Sequence, residues 1–286
     1  MNTVCIITVS YAPDFPRCKR LCDSVDKFVD ASVEHVVICP ADQRALFAPL
    51  GNQRRRILSY QEVLPKGFRR VPLTKKWWLD DQFFPVRGWV LQQLIKLSSH
   101  TVTEADVLLF VDSDIVFFKD FDSSILFQGE KTRLLRVPCT PPSDAHSEWQ
   151  RVAEKLFGLQ EKAFTKDYVG QLISWRRDHL KAMLQHIEEV TGKAWHHAVG
   201  HQKTVSEYIL YGNFIERCLE DKHQHSFEEH LISCNIWDQQ ELDVFLTEKP
   251  SVPSCMSAFL LQSNLKLSMA EEQHIIDDFT QGQVNN

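Results

Sequence analysis

Residues 107–117 read VLLFVDSDIVF: an unbroken apolar run, two aspartates two positions apart, then a second apolar run. The first five residues fit a strand buried on both faces, as in parallel sheets covered by helices. Asp112 and Asp114 then stand just past its carboxyl end, where open α/β sheets bind their ligands. With Ser113 between them, the two carboxylates can point to the same side. Such a pair suits a hard divalent cation, Mg²⁺ or Mn²⁺, shared with phosphate oxygens. A cation there would act as a Lewis acid on a departing diphosphate.

The flanking sequence supports that reading. Upstream, residues 3–9 (TVCIITV) form a β-branched run ended by Ser-Tyr-Ala-Pro-Asp, which predicts a buried strand and a loop. Residues 16–29 carry Leu21, Val25, Phe28 and Val29 at helical spacing. Residues 35–39 (HVVIC) read as a second strand, 41–50 as a short helix and 56–59 as a third strand. This alternation predicts an α/β domain with a doubly wound, mostly parallel sheet. Residues 51–85 are polar and aromatic and carry no clear period. Residues 89–99 predict a helix with Val90, Leu91, Leu94, Ile95 and Leu97 inward.

Downstream the pattern turns helical, over 147–157, 176–191, 204–219, 238–246 and a tail from 268. Short apolar pieces at 133–137, 169–175, 231–234 and 258–261 predict strands. No repeat, low-complexity segment or linker divides the chain. One domain is expected, with a nucleotide-binding half over 1–120 and an acceptor- and sugar-binding half over 121–286.

Composition excludes several devices. Among 286 residues there are only 10 glycines, and no two stand two positions apart. That removes the G-x-G-x-x-G fingerprint; the phosphate loop is absent too, as are the G-x-S-x-G and H-E-x-x-H signatures. A diphosphate would have to be held through a metal rather than in a cradle of backbone amides. The net charge of −6 argues against a general nucleic-acid binder. A local basic stretch runs from Arg54 to Lys76 and includes Arg55, Arg56, Lys66, Arg69, Arg70 and Lys75. It reads as a solvated loop or as a surface for an anionic acceptor or lipid headgroups.

The 8 cysteines form no C-x-x-C; Cys5 and Cys39 lie in apolar runs, and Cys18 and Cys22 share a helix face, so no disulfide framework is expected. The first apolar run spans about seven residues without a basic region before it, which reads as a strand and not a signal peptide. No stretch reaches the roughly 18 apolar residues of a membrane span. The expectation is a cytoplasmic protein, with contact at the inner membrane face through the 54–76 stretch.

The same D-x-D string fits a rival chemistry. In haloacid-dehalogenase-like phosphotransferases Asp112 would be the nucleophile and Asp114 the acid/base. Those enzymes carry the motif on the first core strand, whereas three candidate strands precede it here. They also need a later acidic pair after a strand, and Asp277 and Asp278 lie in a predicted helix. A third reading keeps the acidic site for binding a nucleotide sugar without turnover.

Six stretches, in order over about 200 residues, resemble a GT-A type glycosyltransferase, in particular a bacterial family of domains of unknown function. They are SYAPD (10–14), DQ (42–43), WVLQQLIKL (89–97), LLFVDSDIVF (108–117), DYVGQLISWRR (167–177) and SEYILYGNF (206–214). The resemblance implies transfer of a sugar from a nucleotide donor, UDP-linked, to a hydroxyl on a glycan or lipid-linked acceptor in bacterial surface glycan synthesis. It implies that Tyr11, Asp14 and Asp42 hold the nucleoside, that Gln92 and Lys96 face the nucleotide, and that Lys96 reaches a phosphate. Glu207, at a predicted helix start after Ser206, resembles the base of inverting enzymes, with Asp167 as runner-up. Asp167 is otherwise a ligand for sugar hydroxyls near Trp175 and Arg176. A late histidine often completes the metal site in such enzymes; of His223, His225 and His230, the first two are the candidates. His196, His197 and His201 form a second cluster with no role assigned by the resemblance.

Overall fold

The computed structural model describes residues 2–72, 74, 76–139, 143–163, 165–220, 224–248 and 252–284. Strands β1 (Val4–Val9), β2 (Glu34–Cys39), β3 (Arg55–Ser59) and β4 (Val107–Phe110) run parallel, and β5 (Ile173–Arg176) runs antiparallel to β4. Their order across the sheet is β5-β4-β1-β2-β3. The chain is the expected mixed α/β fold with a mostly parallel central sheet between helices. It builds outward from β1 to β3, then returns to add β4 on the other side of β1. The switch point between β1 and β4 is where such sheets open a crevice for ligands.

Alternation along β1 fixes its two faces. Cys5, Ile7 and Val9 pack with Val36, Ile38 and the inward side of helix α2 (Gly88–Ser98), through Leu91, Leu94 and Ile95. Val4 and Ile6 pack the other way, on Leu21 and Val25 of helix α1 (Phe15–Phe28). All six residues of β1 are buried, as a two-sided strand requires. Cys18 and Cys22 join Val37, Cys39 and Phe47 in a smaller apolar cluster, and the cysteines are free thiols.

Three expectations need correction. Residues 41–50 are not one helix but Ala41–Gln43, Arg44–Phe47 and Ala48–Leu50, of which only the middle piece is α-helical. Pro49 lacks the amide that a continuous helix would use. The unassigned 51–85 region contains two strands of an antiparallel hairpin sheet, Arg69–Arg70 and Trp77–Leu79, completed by Pro85–Arg87. Strands of two or three residues are too short to show an alternation. Finally, the 169–175 strand is confined to β5, and Trp195–Gly200 and His225–Glu228 are a helix and a strand that were not expected.

Past β4 the chain leaves the central sheet at Asp112, turns, and enters a second sheet at Ile115–Phe117. There it pairs with Ala258–Leu261, which pairs in turn with Ser233–Ile236. The two aspartates therefore occupy the junction of two sheets. The second half is carried by Asp144–Leu156, Arg177–Thr191, helix α3 (Glu207–Arg217), Gln239–Glu248 and Met269–Val284. Gly212 lets α3 lie against Tyr168: a Cβ at this position would fall 2.2 Å from the tyrosine ring.

Candidate functional site

A cleft of about 990 Å³ opens at the carboxyl ends of β1 and β4. Ser10 and Tyr11 follow β1 into it, and Asp112, Ser113 and Asp114 follow β4. Its walls come from α2 (Gln92, Gln93, Lys96), the start of α3 (Ser206, Glu207, Tyr208), the hairpin sheet (Lys76, Trp77, Trp78, Arg87), and Gln262 and Ser263.

Lys96 is the centre of the charge arrangement. Its Nζ lies 3.1 Å from Asp112 Oδ1 and 3.0 Å from Glu207 Oε1, and donates to Tyr208 Oη at 2.9 Å. It also stands 4.7 Å from the Tyr208 ring centre. Burial alone would discharge this lysine, but Asp112, Tyr208 and Glu207 outweigh burial and hold its pKa well above the usual value. It is thus an internal counter-ion to Asp112 and Glu207, buried at the cleft floor.

The acids around it divide. Burial opposes ionisation of Asp112, but the Lys96 charge and a 2.9 Å hydrogen bond from Gln171 Nε2 to Asp112 Oδ2 hold its pKa below the ordinary carboxylate value. Asp112 Oδ1 meets only the Lys96 ammonium among the described residues. Asp114 is pushed up to about 7 by burial and by the Asp112 charge, against the backbone N–H of Ser263 at 3.2 Å and its own backbone N–H. Burial likewise raises Glu207, with Lys96 pulling the other way. Asp14 is raised by burial, and Arg17 lies 3.5 Å from it. Arg17 and Arg20 also clamp the buried Glu272, at 2.5 Å and 2.6 Å.

Gln171, Tyr208 and Ser263 were not anticipated. Gln171 precedes β5, whose Ile173 pairs with Phe110, so the antiparallel register brings it opposite Asp112. Leu172, between them and fully buried, has a left-handed φ of 55°. Such a conformation is costly for a branched residue and persists only where the surroundings enforce it.

Tyr11, Asp14, Gln92, Lys96, Asp112, Ser113, Asp114 and Glu207 all line the cleft, and Tyr11 is 47% exposed. Asp42 does not; it pairs with Arg70 at 3.2 Å, while its neighbour Gln43 lines the cleft and accepts from Ala12 N at 2.6 Å. Asp167 lies outside, holding His146 Nδ1 at 2.7 Å. That imidazole stacks on Trp149, and Trp149 stacks on Trp89 with centroids 5.6 Å apart. Both tryptophans line the cleft.

Trp175 and Arg176 are not brought to the site. Because β5 is antiparallel, Arg176 pairs with Val107 at the amino end of β4, opposite the aspartates. Trp175 is core, 4.3 Å from Phe110 and stacked on Tyr211 at 4.7 Å. His225 is buried beside the same tyrosine, with His179 Nδ1 at 3.0 Å and Thr132 O at 3.2 Å, and its pKa is lowered to about 3, chiefly by burial. It does not line the cleft; His223 lies outside the described residues. Among the described residues no third His, Cys, Asp or Glu joins Asp112 and Asp114 in a ligand-sized cluster; the group that does converge is Asp81, His196 and His197.

The basic stretch is split by the fold. Arg54 donates to Val25 O and Val29 O at the end of α1, and Arg55 is buried on His35 and Asp26. Arg69, Arg70 and Lys76 are exposed on the hairpin sheet; Lys75 lies outside the described residues.

The sequence matches, over residues 3–283, the model of a family described as a family of unknown function (DUF6492), and the chain belongs to that family. No curated protein matches it. No helix among the described residues is long and apolar enough to cross a membrane.

Proposed function

We propose that this family member is a GT-A type glycosyltransferase. It moves a sugar from a UDP-linked donor to a hydroxyl acceptor, with Mn²⁺ or Mg²⁺ held by Asp112 and Asp114. The observation that carries the reading is the acidic pair at the β1/β4 switch point, facing Glu207 across one cleft.

The donor set fits a hard cation. It is all oxygen, Asp112 Oδ1 meets only the Lys96 ammonium among the described residues, and Mg²⁺-like ions take one or two carboxylates plus substrate phosphates. When bound, the cation would neutralise the diphosphate leaving group. Tyr11 and Asp14 then take the nucleoside at the end of β1. Trp77, Trp89 and Trp149 offer flat apolar faces for the sugar and acceptor rings. Glu207 Oε accepts the proton of the attacking hydroxyl. Its raised pKa brings it nearer to working pH, while Lys96 keeps the carboxylate charged between turnovers. Lys96 also holds Asp112 ionised and fixes the spacing of the two acids.

An acceptor in bacterial surface glycan synthesis, carried on lipid at the inner membrane face, is supported by the exposed side chains of the hairpin sheet. Arg69, Arg70, Lys76 and Arg87 stand there with Trp77, Phe83 and Phe84.

Thermal unfolding with UDP, with and without Mn²⁺, tests the reading. A ligand at 100 times its Kd adds about 2.7 kcal/mol, a rise on the order of 5 °C for a chain of this size. The rise should require the metal and vanish in Asp114→Ala, whose unliganded Tm should stay close to wild type. Metal-independent UDP binding, or an unchanged response in the variant, overturns the assignment. A phosphoryl group trapped on Asp112 would favour phosphotransfer instead.

A further inference from the structure

We propose that Asp81, His196 and His197 form a binding site for a zinc-class divalent ion, separate from the Asp112 and Asp114 cleft, that clips the hairpin sheet to the body of the protein. The three donor atoms lie within 4.8 Å of one another. Two imidazole nitrogens and one carboxylate oxygen suit Zn²⁺ and its neighbours, whereas Mg²⁺ prefers an all-oxygen shell. A tetrahedral ion with bonds of about 2.1 Å needs donors about 3.4 Å apart, which side-chain rotation supplies. Asp81 is exposed, so the fourth position opens to water.

The surroundings hold these donors in place. His197 Nε2 already lies 2.6 Å from Asp81 Oδ1. His196 touches Phe68 and the His197 ring, centroids 4.2 Å apart, and makes no hydrogen bond among the described residues. Its ring is thus positioned by packing alone, with nitrogens left for a ligand. Gly67, at φ +99°, brings its turn against Asp81; a Cβ there would meet the Asp81 Cβ at 2.4 Å.

Neighbouring Asp80 is committed elsewhere. It accepts from Gln82 N at 2.9 Å, Phe84 N at 2.8 Å and His201 Nε2 at 2.7 Å, which shapes the turn that carries Asp81. The clip joins residues 116 apart in sequence. The strands on either side of this turn carry Trp77 and Arg87, which line the cleft, so the ion would stiffen one cleft wall.

The test uses the full chain, stripped with a chelator and titrated with Zn²⁺ in excess Mg²⁺. One equivalent should bind, and Co²⁺ in its place should give the visible absorption of a tetrahedral nitrogen–oxygen site. His196→Ala and Asp81→Asn should each weaken zinc binding at least tenfold. His196 has no hydrogen bond to lose and Asp81 is exposed, so both variants should fold. Protein carrying Asp112→Asn and Asp114→Asn should bind zinc as wild type does, which separates this site from the proposed transfer centre. No zinc binding, wild-type affinity in both clip variants, or loss with the Asp112 and Asp114 substitutions overturns the proposal.

Discussion

The two ends of the central sheet are built on opposite electrostatic terms. At the amino end the charges of Asp106 and Arg177 are met near the surface. Asp106 accepts from Thr3 N and Thr3 Oγ1 at 2.8 Å and 3.0 Å; Arg177 reaches Glu104 at 2.8 Å and His100 O at 2.9 Å. At the carboxyl end, Asp112 and Glu207 share one buried lysine, and Asp114 has only backbone N–H groups against a like charge two residues away. Leu172 adds a left-handed backbone beside them. Unmet charge concentrated at one end of a sheet is what a ligand of opposite charge would relieve.

The largest break in this contrast should come from Glu207→Gln. The substitution keeps size and a hydrogen-bonding group but removes the proton acceptor. Turnover with a UDP-sugar donor should fall about 10²- to 10⁴-fold, with the Kd for UDP and Mn²⁺ within about twofold of wild type. Retained turnover would move the base elsewhere. Loss of donor binding would instead make Glu207 part of the charge arrangement that shapes the acidic pair.

A smaller effect should follow pH. Asp114 titrates near 7 in the metal-free protein, far above an ordinary carboxylate. It is therefore protonated on the acid side of 7 and must lose that proton to take a cation. Metal-dependent UDP affinity should fall roughly tenfold per pH unit below 7 and level off above it. Asp114→Asn should abolish this slope along with most of the affinity. A flat profile between pH 5 and 8 in the wild type would remove Asp114 from the ligand set.

What the sequence displayed and what it hid divide along the same line. The acidic pair was legible because a fully apolar run ends directly in two aspartates, and β1 to β3 because their runs alternate with helical spacing. Lys96 is legible as a residue of the cleft helix, but its ion pairs are not. A lysine on an amphipathic helix has the same spacing whether it faces water or three polar partners, and those partners come from elsewhere in the chain. Gln171 and Tyr208 stood in quoted stretches, yet nothing local marks a glutamine as opposite Asp112. The direction of β5 was invisible, because an apolar run reads the same in either direction. Reversing that strand carries Arg176 away from the cleft and sets Gln171 opposite Asp112. The hairpin strands, two or three residues each, carry no period at all.

The smallest predicted effect tests the quiet end. Arg176 is the residue that the family resemblance implied for the sugar and that the fold puts at the amino end. Its guanidinium pairs with Asp178 at 2.7 Å, and the partner side chain is 58% exposed. Exposed pairs of this kind contribute about 0–1 kcal/mol. The buried contact of this residue is made by its backbone, from Arg176 N to Tyr211 Oη at 2.9 Å, and survives truncation of the side chain. Arg176→Ala should therefore lower Tm by at most about 3 °C and leave the UDP and Mn²⁺ affinity within twofold. A tenfold loss of nucleotide affinity would mean that the two ends of the sheet are coupled, and that ligand binding draws on more than the residues around the cleft.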